Sequence, residues 1–151
     1  LPLYAEATQS DAKKVGIKIN LKNVDYNVLD GIGVRGEYDL LISNILTEQA
    51  GDPEVFVNQY WKTNVDGSNP QNGSGYSNPE YDALSDQLAS EFDPAKRRDI
   101  IIKMEKIVQD DAAALIFGYP QTNMVSNKSV QNANIYPCDY YWVTKDITPA
   151  K

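Results

Sequence analysis

The stretch Asp93-Pro94-Ala95-Lys96-Arg97-Arg98-Asp99-Ile100-Ile101-Ile102-Lys103-Met104-Glu105-Lys106-Ile107-Val108-Gln109-Asp110-Asp111 carries the clearest periodicity in the chain. Arg97, Ile100, Ile101, Met104, Ile107 and Val108 recur at helical spacing with polar residues between them. That pattern predicts a helix over 94–111 with one buried stripe. Asp93 offers a side-chain oxygen to the free N–H groups of the first turn. Pro94, at the first helical position, loses nothing by lacking an N–H. The charges run against the helix dipole, with Lys96, Arg97 and Arg98 at the start and Asp110 and Asp111 at the end. Such placement costs roughly a few tenths of a kcal/mol per charge unless partners offset it.

The same start recurs upstream. Asp52-Pro53 and Asn78-Pro79 predict helices over 53–62 and 79–91, with Ser77 and Glu80 offering an alternative capping box for the second. Between them, 63–77 is rich in Asn, Gly and Ser and reads as a surface loop. Further back, Leu3, Ala7, Ala12 and Val15 mark a short helix. Lys13 and Lys14 complement its dipole, and Gly16 suits its C-terminal cap. Strict alternation over 17–24 predicts a half-buried strand. Residues 26–35 predict a short helix weakened by Gly31 and Gly33, and 38–43 a more buried strand. After the long helix, 112–117, 122–126 and 130–136 read as strands. Helices alternating with strands give an α/β class, with residues 1–151 forming a single domain.

Composition narrows the function. The 151 residues include 14 Lys plus Arg against 21 Asp plus Glu, a net charge of −7, which disfavours nucleic acid and anionic membrane as partners. No apolar run reaches the ~18 residues of a membrane span. There is no histidine and one cysteine, Cys138. The chain alone therefore builds no Ser-His-Asp triad, no Cys-His pair, no disulfide and no Cys-based zinc site. The opening Leu1-Pro2-Leu3-Tyr4 lacks Met and a signal peptide, and reads as cut from something larger.

Several motifs carry a bland reading. Gly31-Ile32-Gly33-Val34-Arg35-Gly36 matches the dinucleotide-binding letters, but the expected strand follows it instead of preceding it. The glycines then read as a turn ahead of a strand. Asp66, Ser68 and Asn69 lie in a Gly-rich loop without the closing Glu of a calcium loop. Asn72-Gly73-Ser74 and Asn127-Lys128-Ser129 match the glycosylation triplet, which arises by chance in Asn-rich chains. Glu48 and Asp52 form a possible acid–base pair, but no nucleophile or oxyanion site accompanies them, and Asp52 is assigned to helix capping. The ten tyrosines and two tryptophans suit binding clefts, although most should pack.

Four segments in order resemble the extracytoplasmic solute-binding proteins of ABC importers, in the oligopeptide, dipeptide and nickel group. They are Val15-Gly16-Ile17-Lys18-Ile19; Gly36-Glu37-Tyr38-Asp39-Leu40-Leu41-Ile42 with Gly51-Asp52-Pro53 and Phe56; Gly75-Tyr76-Ser77-Asn78-Pro79-Glu80-Tyr81-Asp82-Ala83-Leu84; and Asp93-Pro94-Ala95-Lys96-Arg97-Arg98, leading through Ile107 and Asp111 to Ala114-Leu115-Ile116. The resemblance implies the C-terminal lobe of a two-lobed type II periplasmic-binding-protein fold, a mixed sheet flanked by helices. It implies a binding protein, not an enzyme, exported and lipid-anchored in Gram-positive hosts. It also implies a monomer that works with a membrane permease.

In this family the segment after the second strand faces the cleft, here Ser43 to Gly51. Asn44, Thr47, Glu48 and Gln49 are the expected ligand contacts. Peptide binders usually place an aspartate four residues before the motif's proline, to pair with the peptide amine. Pro53 puts Gln49 there, and a neutral amide cannot make that charge-assisted bond. The phrase from Thr47 to Pro53 looks more like the nickel and metallophore branch. The expected ligand is therefore a nickel chelate, with a di- or oligopeptide as the alternative and Glu48 as its amine partner. No protein metal ligand and no resident cofactor are expected, nickel arriving inside a small chelator. A hydrolase fragment using Glu48 and Asp52, or an interaction domain using Tyr140, Tyr141 and Trp142, are the readings from other classes.

Overall fold

The computed structural model of the chain describes residues 1–45, 52–119, 121, 123–135 and 143–150. They fall into two compact units, Leu1–Leu115 and Ile116–Lys151, each described by itself.

The first unit is helical: α1 Pro2–Lys14, α2 Tyr26–Arg35, α3 Glu54–Trp61, α4 Pro79–Ser90 and α5 Pro94–Asp110. Two of the three proline-marked starts cap as expected, while α3 begins one residue later, with Pro53 at its N-cap. Asn78 accepts from the N–H groups of Glu80 and Tyr81, and Asp93 from those of Ala95 and Lys96. Asp52 accepts from Glu54 N at 2.9 Å. At the other end, α1 and α2 close alike. Ile17 N–H reaches back to Ala12 O and Gly16 N–H to Lys13 O; Glu37 N–H reaches Ile32 O and Gly36 N–H reaches Gly33 O. This double bond pattern needs a left-handed residue, and Gly16 and Gly36 take it with φ of +85° and +65°. α5 ends in the same way, but with Ala112 at φ +52°.

α3, α4 and α5 pack on one another around Val57, Tyr81, Leu88, Ile100, Ile101, Met104 and Val108. Four of these seven come from the stripe read from the sequence. Phe56, Trp61, Tyr76, Leu84 and Ile107 pack around them. The second unit holds β1 Val130–Gln131 and β2 Thr148–Pro149, paired antiparallel.

The strand expectations differ from the structure. Among the described residues β1 and β2 are the only paired strands. Segments 17–24, 38–43 and 112–117 join no ladder, and neither do the described residues of 122–126; of 130–136 only Val130–Gln131 pairs. Alternation states which face wants burial. A strand also needs a neighbour about 4.8 Å away. Ile17, Leu21 and Leu40 are exposed, so the surface that would cover their apolar face is not among the described residues. Nor do the glycines of the dinucleotide-like motif form a turn before a strand. Gly31 and Gly33 lie inside α2 and Gly36 closes it. Phosphate-cradling geometry, which requires glycines ahead of a helix, is absent there.

Candidate functional site

Three helix ends meet at Arg97, one turn into α5. Its Nη2 donates to Asp52 Oδ2 at 2.8 Å and to Glu54 Oε2 at 2.7 Å. Its Nη1 donates to the carbonyl oxygens of Leu88 and Glu91 at 2.9 and 2.8 Å. The guanidinium therefore stitches the start of α3 and the end of α4 to the start of α5. The Arg97 side chain is only 18% exposed. A charge so covered needs partners, and planar bidentate geometry suits Arg and not Lys. Here is the offset for one cation on the wrong end of α5.

A second junction handles the other end. Asp111 Oδ2 accepts from Tyr76 Oη at 2.6 Å and from Asn78 Nδ2 at 2.8 Å. These donors, Tyr76 first, hold the Asp111 carboxyl below its ordinary value. The Tyr76 phenol is pushed up to about 12, by burial first and then by its bond to Asp111. Asp110 is paired with Lys106 one turn back. The sign for Asp111 follows from linkage: a lowered pKa stabilises the fold above the unfolded value, and that stability is lost as pH falls through the folded value. Urea unfolding should show wild type more stable than Asp111→Asn at neutral pH, with the gap closing as pH falls below 3.8. The raised Tyr76 phenol acts in the opposite window, its contribution being lost as pH rises from 10 towards 12. A wild-type-to-mutant gap independent of pH would contradict the junction.

Of the expected ligand contacts, Asn44 is exposed, at the end of the segment that follows α2. Thr47, Glu48 and Gln49 lie outside the described residues, as do Cys138 and the aromatic tail Tyr140, Tyr141 and Trp142. Asp52, assigned to capping, does bind the first turn of α3, and it also holds Arg97. A carboxylate committed to a helix N–H and a guanidinium is poorly placed to shuttle protons, which weakens the acid–base pairing with Glu48. The sequence signal for this junction is the place of Arg97 against the helix dipole.

The Asn-rich loop is structural. Asn72 is buried; its Nδ2 donates to Lys62 O and Tyr76 O, and its Oδ1 accepts from Ser74. A side chain so placed offers no glycan acceptor. Asn69 Nδ2 donates to Asn58 O and Lys62 O, which presents donors where a cation would want oxygens. Beside this loop an open cleft of about 550 Å³ runs along α3, lined by Val55, Asn58, Gln59, Lys62, Thr63 and Ser68 among others. Its lysine is paired with Asp86. Among the described residues no group of three or more carboxylate or thiol side chains could hold a metal ion. Among them, too, no helix is long and apolar enough to cross a membrane.

No family model matches the chain. Relatives are found by sequence. One is the probable D,D-dipeptide-binding periplasmic protein DdpA of Escherichia coli, 33% identical over 84% of this chain and 24% of its own length. Another is the nickel-binding protein NikA of Staphylococcus aureus, 30% identical over 95% of this chain and 28% of its own. A third is the dipeptide-binding protein DppE of Bacillus subtilis, 26% identical over 94% of this chain. Among solved structures, Staphylococcus aureus NikA in complex with Ni(L-His)2 matches with a TM-score of 0.73 at 25% identity. That match covers 99% of this chain and 31% of NikA. The chain thus spans about a quarter of the length of the curated relatives it matches. Over most of its own length it is homologous to the peptide- and nickel-binding solute-binding proteins of ABC importers, and it takes their type II periplasmic-binding fold over the matched part.

Proposed function

We propose that this homologue of importer-binding proteins forms most of the C-terminal lobe of a longer solute-binding protein, whose cargo is nickel already wrapped by small chelators. It acts outside the membrane, as a monomer, lipid-anchored where the host is Gram-positive. It delivers the cargo to a membrane permease and catalyses nothing. Capture works by two lobes closing over the ligand, with the closed state favoured by contacts made only there. Asn44, Thr47, Glu48 and Gln49 supply hydrogen bonds to the chelate.

One observation carries the nickel reading. The chain resembles NikA in both sequence and fold while containing no histidine at all. A neighbour whose structure holds nickel between two free histidines gives the chemistry that reconciles these facts: the cargo brings its own imidazoles, which suit nickel. Gln49 supports the same reading, because it cannot offer a peptide amine its counter-charge. A D,D-dipeptide is the second reading, favoured by the 33% identity to DdpA, and it would make Glu48 the amine partner.

Calorimetric titration of the full-length protein separates the two. Nickel(II) with L-histidine is expected to bind at roughly micromolar affinity or tighter. Nickel(II) alone and D-alanyl-D-alanine are expected to bind far more weakly. Tight dipeptide binding with no response to nickel–histidine would overturn the nickel reading. The 151-residue chain alone should bind poorly, since half the cleft and the closure step are missing.

A further inference from the structure

We propose that Asp66-Gly67 is a modification site, at which the folded protein slowly converts aspartate to isoaspartate without an enzyme. Its chemistry does not depend on the cargo. Three pairs in the chain join Asp or Asn to a following glycine: Asp30-Gly31, Asp66-Gly67 and Asn72-Gly73. Glycine leaves its own nitrogen unhindered, so that it can attack the side-chain carbonyl carbon of the residue before it. By sequence alone Asn72-Gly73 is the most reactive pair, because an amide loses ammonia more readily than a carboxyl loses water. The fold reverses that order.

Asp30 and Gly31 lie inside α2, where the ladder of main-chain bonds holds the backbone. Asn72 is 3% exposed and its amide is bonded at both ends, to Lys62 O and Tyr76 O through Nδ2 and to Ser74 through Oδ1. Gly73 is pressed against the carbonyl oxygen of Gly33, which leaves no room for ring closure. Asp66 and Gly67 are instead exposed, at the tip of a turn closed by Ser68 N–H on Val65 O at 2.9 Å. Both have positive φ, +50° and +83°. Gly67 takes that freely; Asp66 carries a Cβ and takes it less easily. Among the described residues neither the Asp66 carboxyl nor the Gly67 N–H has a hydrogen-bond partner. Nothing lies within 4 Å of where a Cβ on Gly67 would sit. Below the tip, Asn64 Oδ1 accepts Asn69 N–H at 2.9 Å, so the base stays closed while the tip turns over. Opening the tip is local, whereas freeing Asn72 undoes a packed loop.

The Gly67 nitrogen bonds to the side-chain carbonyl carbon of Asp66 in its protonated form. The carboxyl hydroxyl leaves with the amide proton as water. The five-membered imide then takes up water again. Breaking the bond from nitrogen to the side-chain carbon restores aspartate. Breaking the bond from nitrogen to the main-chain carbonyl carbon gives isoaspartate, with an extra main-chain carbon between Asn64 and Asn69. That carbon enters beside the cleft that Ser68 and Asn69 line.

The test ages full-length protein at neutral pH, with a parallel sample in urea. Peptide mass spectrometry with electron-transfer fragmentation then locates isoaspartate. In the folded sample the yield at 66 should exceed that at 30 or 72 by about tenfold or more, since those two wait on wider unfolding. In urea the order should reverse, with Asn72 reacting fastest. Asp66→Asn removes the difference in leaving group, and the folded variant should lose ammonia at 66 about tenfold faster than at 72 or more. No isoaspartate at 66 in the folded sample would overturn the proposal. So would a folded protein in which 72 reacts as fast as 66, in wild type or in the variant.

Discussion

Replacing Tyr81 with alanine should cost about 3–5 kcal/mol, the range for removing a fully buried aromatic side chain. Tyr81 has no exposed surface. It sits at the first turn of α4, where Asn78 caps its N–H. Its ring meets that of Tyr76 edge to face, with centroids 6.1 Å apart. Its hydroxyl crosses to α3 and donates to Val57 O at 2.7 Å. Burial raises the phenol's pKa above the ordinary tyrosine range and so favours the neutral, donating form. Tyr81→Phe removes only the hydroxyl and should cost about 1 kcal/mol. Urea unfolding followed by circular dichroism measures both. A Tyr81→Ala loss close to that of Tyr81→Phe would mean that the ring does not anchor α3 to α4.

The second large effect is expected at Gly73. A Cβ placed there would overlap the carbonyl oxygen of Gly33 in α2, and one placed on Gly36 would overlap the carbonyl oxygen of Gly73. The end of α2 and the Asn-rich loop approach each other backbone to backbone, and only glycine permits that distance. Since the obstructing atoms are main chain, no side chain can swing aside. Gly73→Ala should cost about 1–3 kcal/mol or more, as overpacking does. Gly67→Ala makes the control. It has φ +83° but nothing within 4 Å of the added carbon, so it reports backbone strain without overlap. Gly73 itself carries no positive φ, so a Gly73→Ala variant as stable as wild type would show that the α2–loop contact contributes nothing.

That contact explains why the glycine motif misled. Its spacing was legible, but its purpose lies in Gly73, some 40 residues on, a contact that a linear pattern does not contain. The helices were legible for the opposite reason. Caps such as Asn78 and Asp93 and the stripe from Ile100 to Val108 act within one or two turns, so local chemistry sets them. The strands read from 17–24 and 38–43 failed because pairing depends on a neighbour that alternation does not name.

The charges of α5 fall between these cases. Arg97 and Asp111 sit where the dipole disfavours them, and the conflict itself pointed to partners elsewhere. The partners, Asp52 and Glu54 for one and Tyr76 and Asn78 for the other, come from folding. Of the candidate site, Asn44 is placed on the surface and Asp52 accepts from the first N–H of α3, while Thr47, Glu48 and Gln49 lie outside the described residues.

Native mass spectrometry of the full-length protein, purified from its own host without chelators, tests the central claim most directly. The account predicts a bound species with nickel's isotope pattern plus the mass of small organic chelators. A ladder of short peptide masses with no nickel would contradict it.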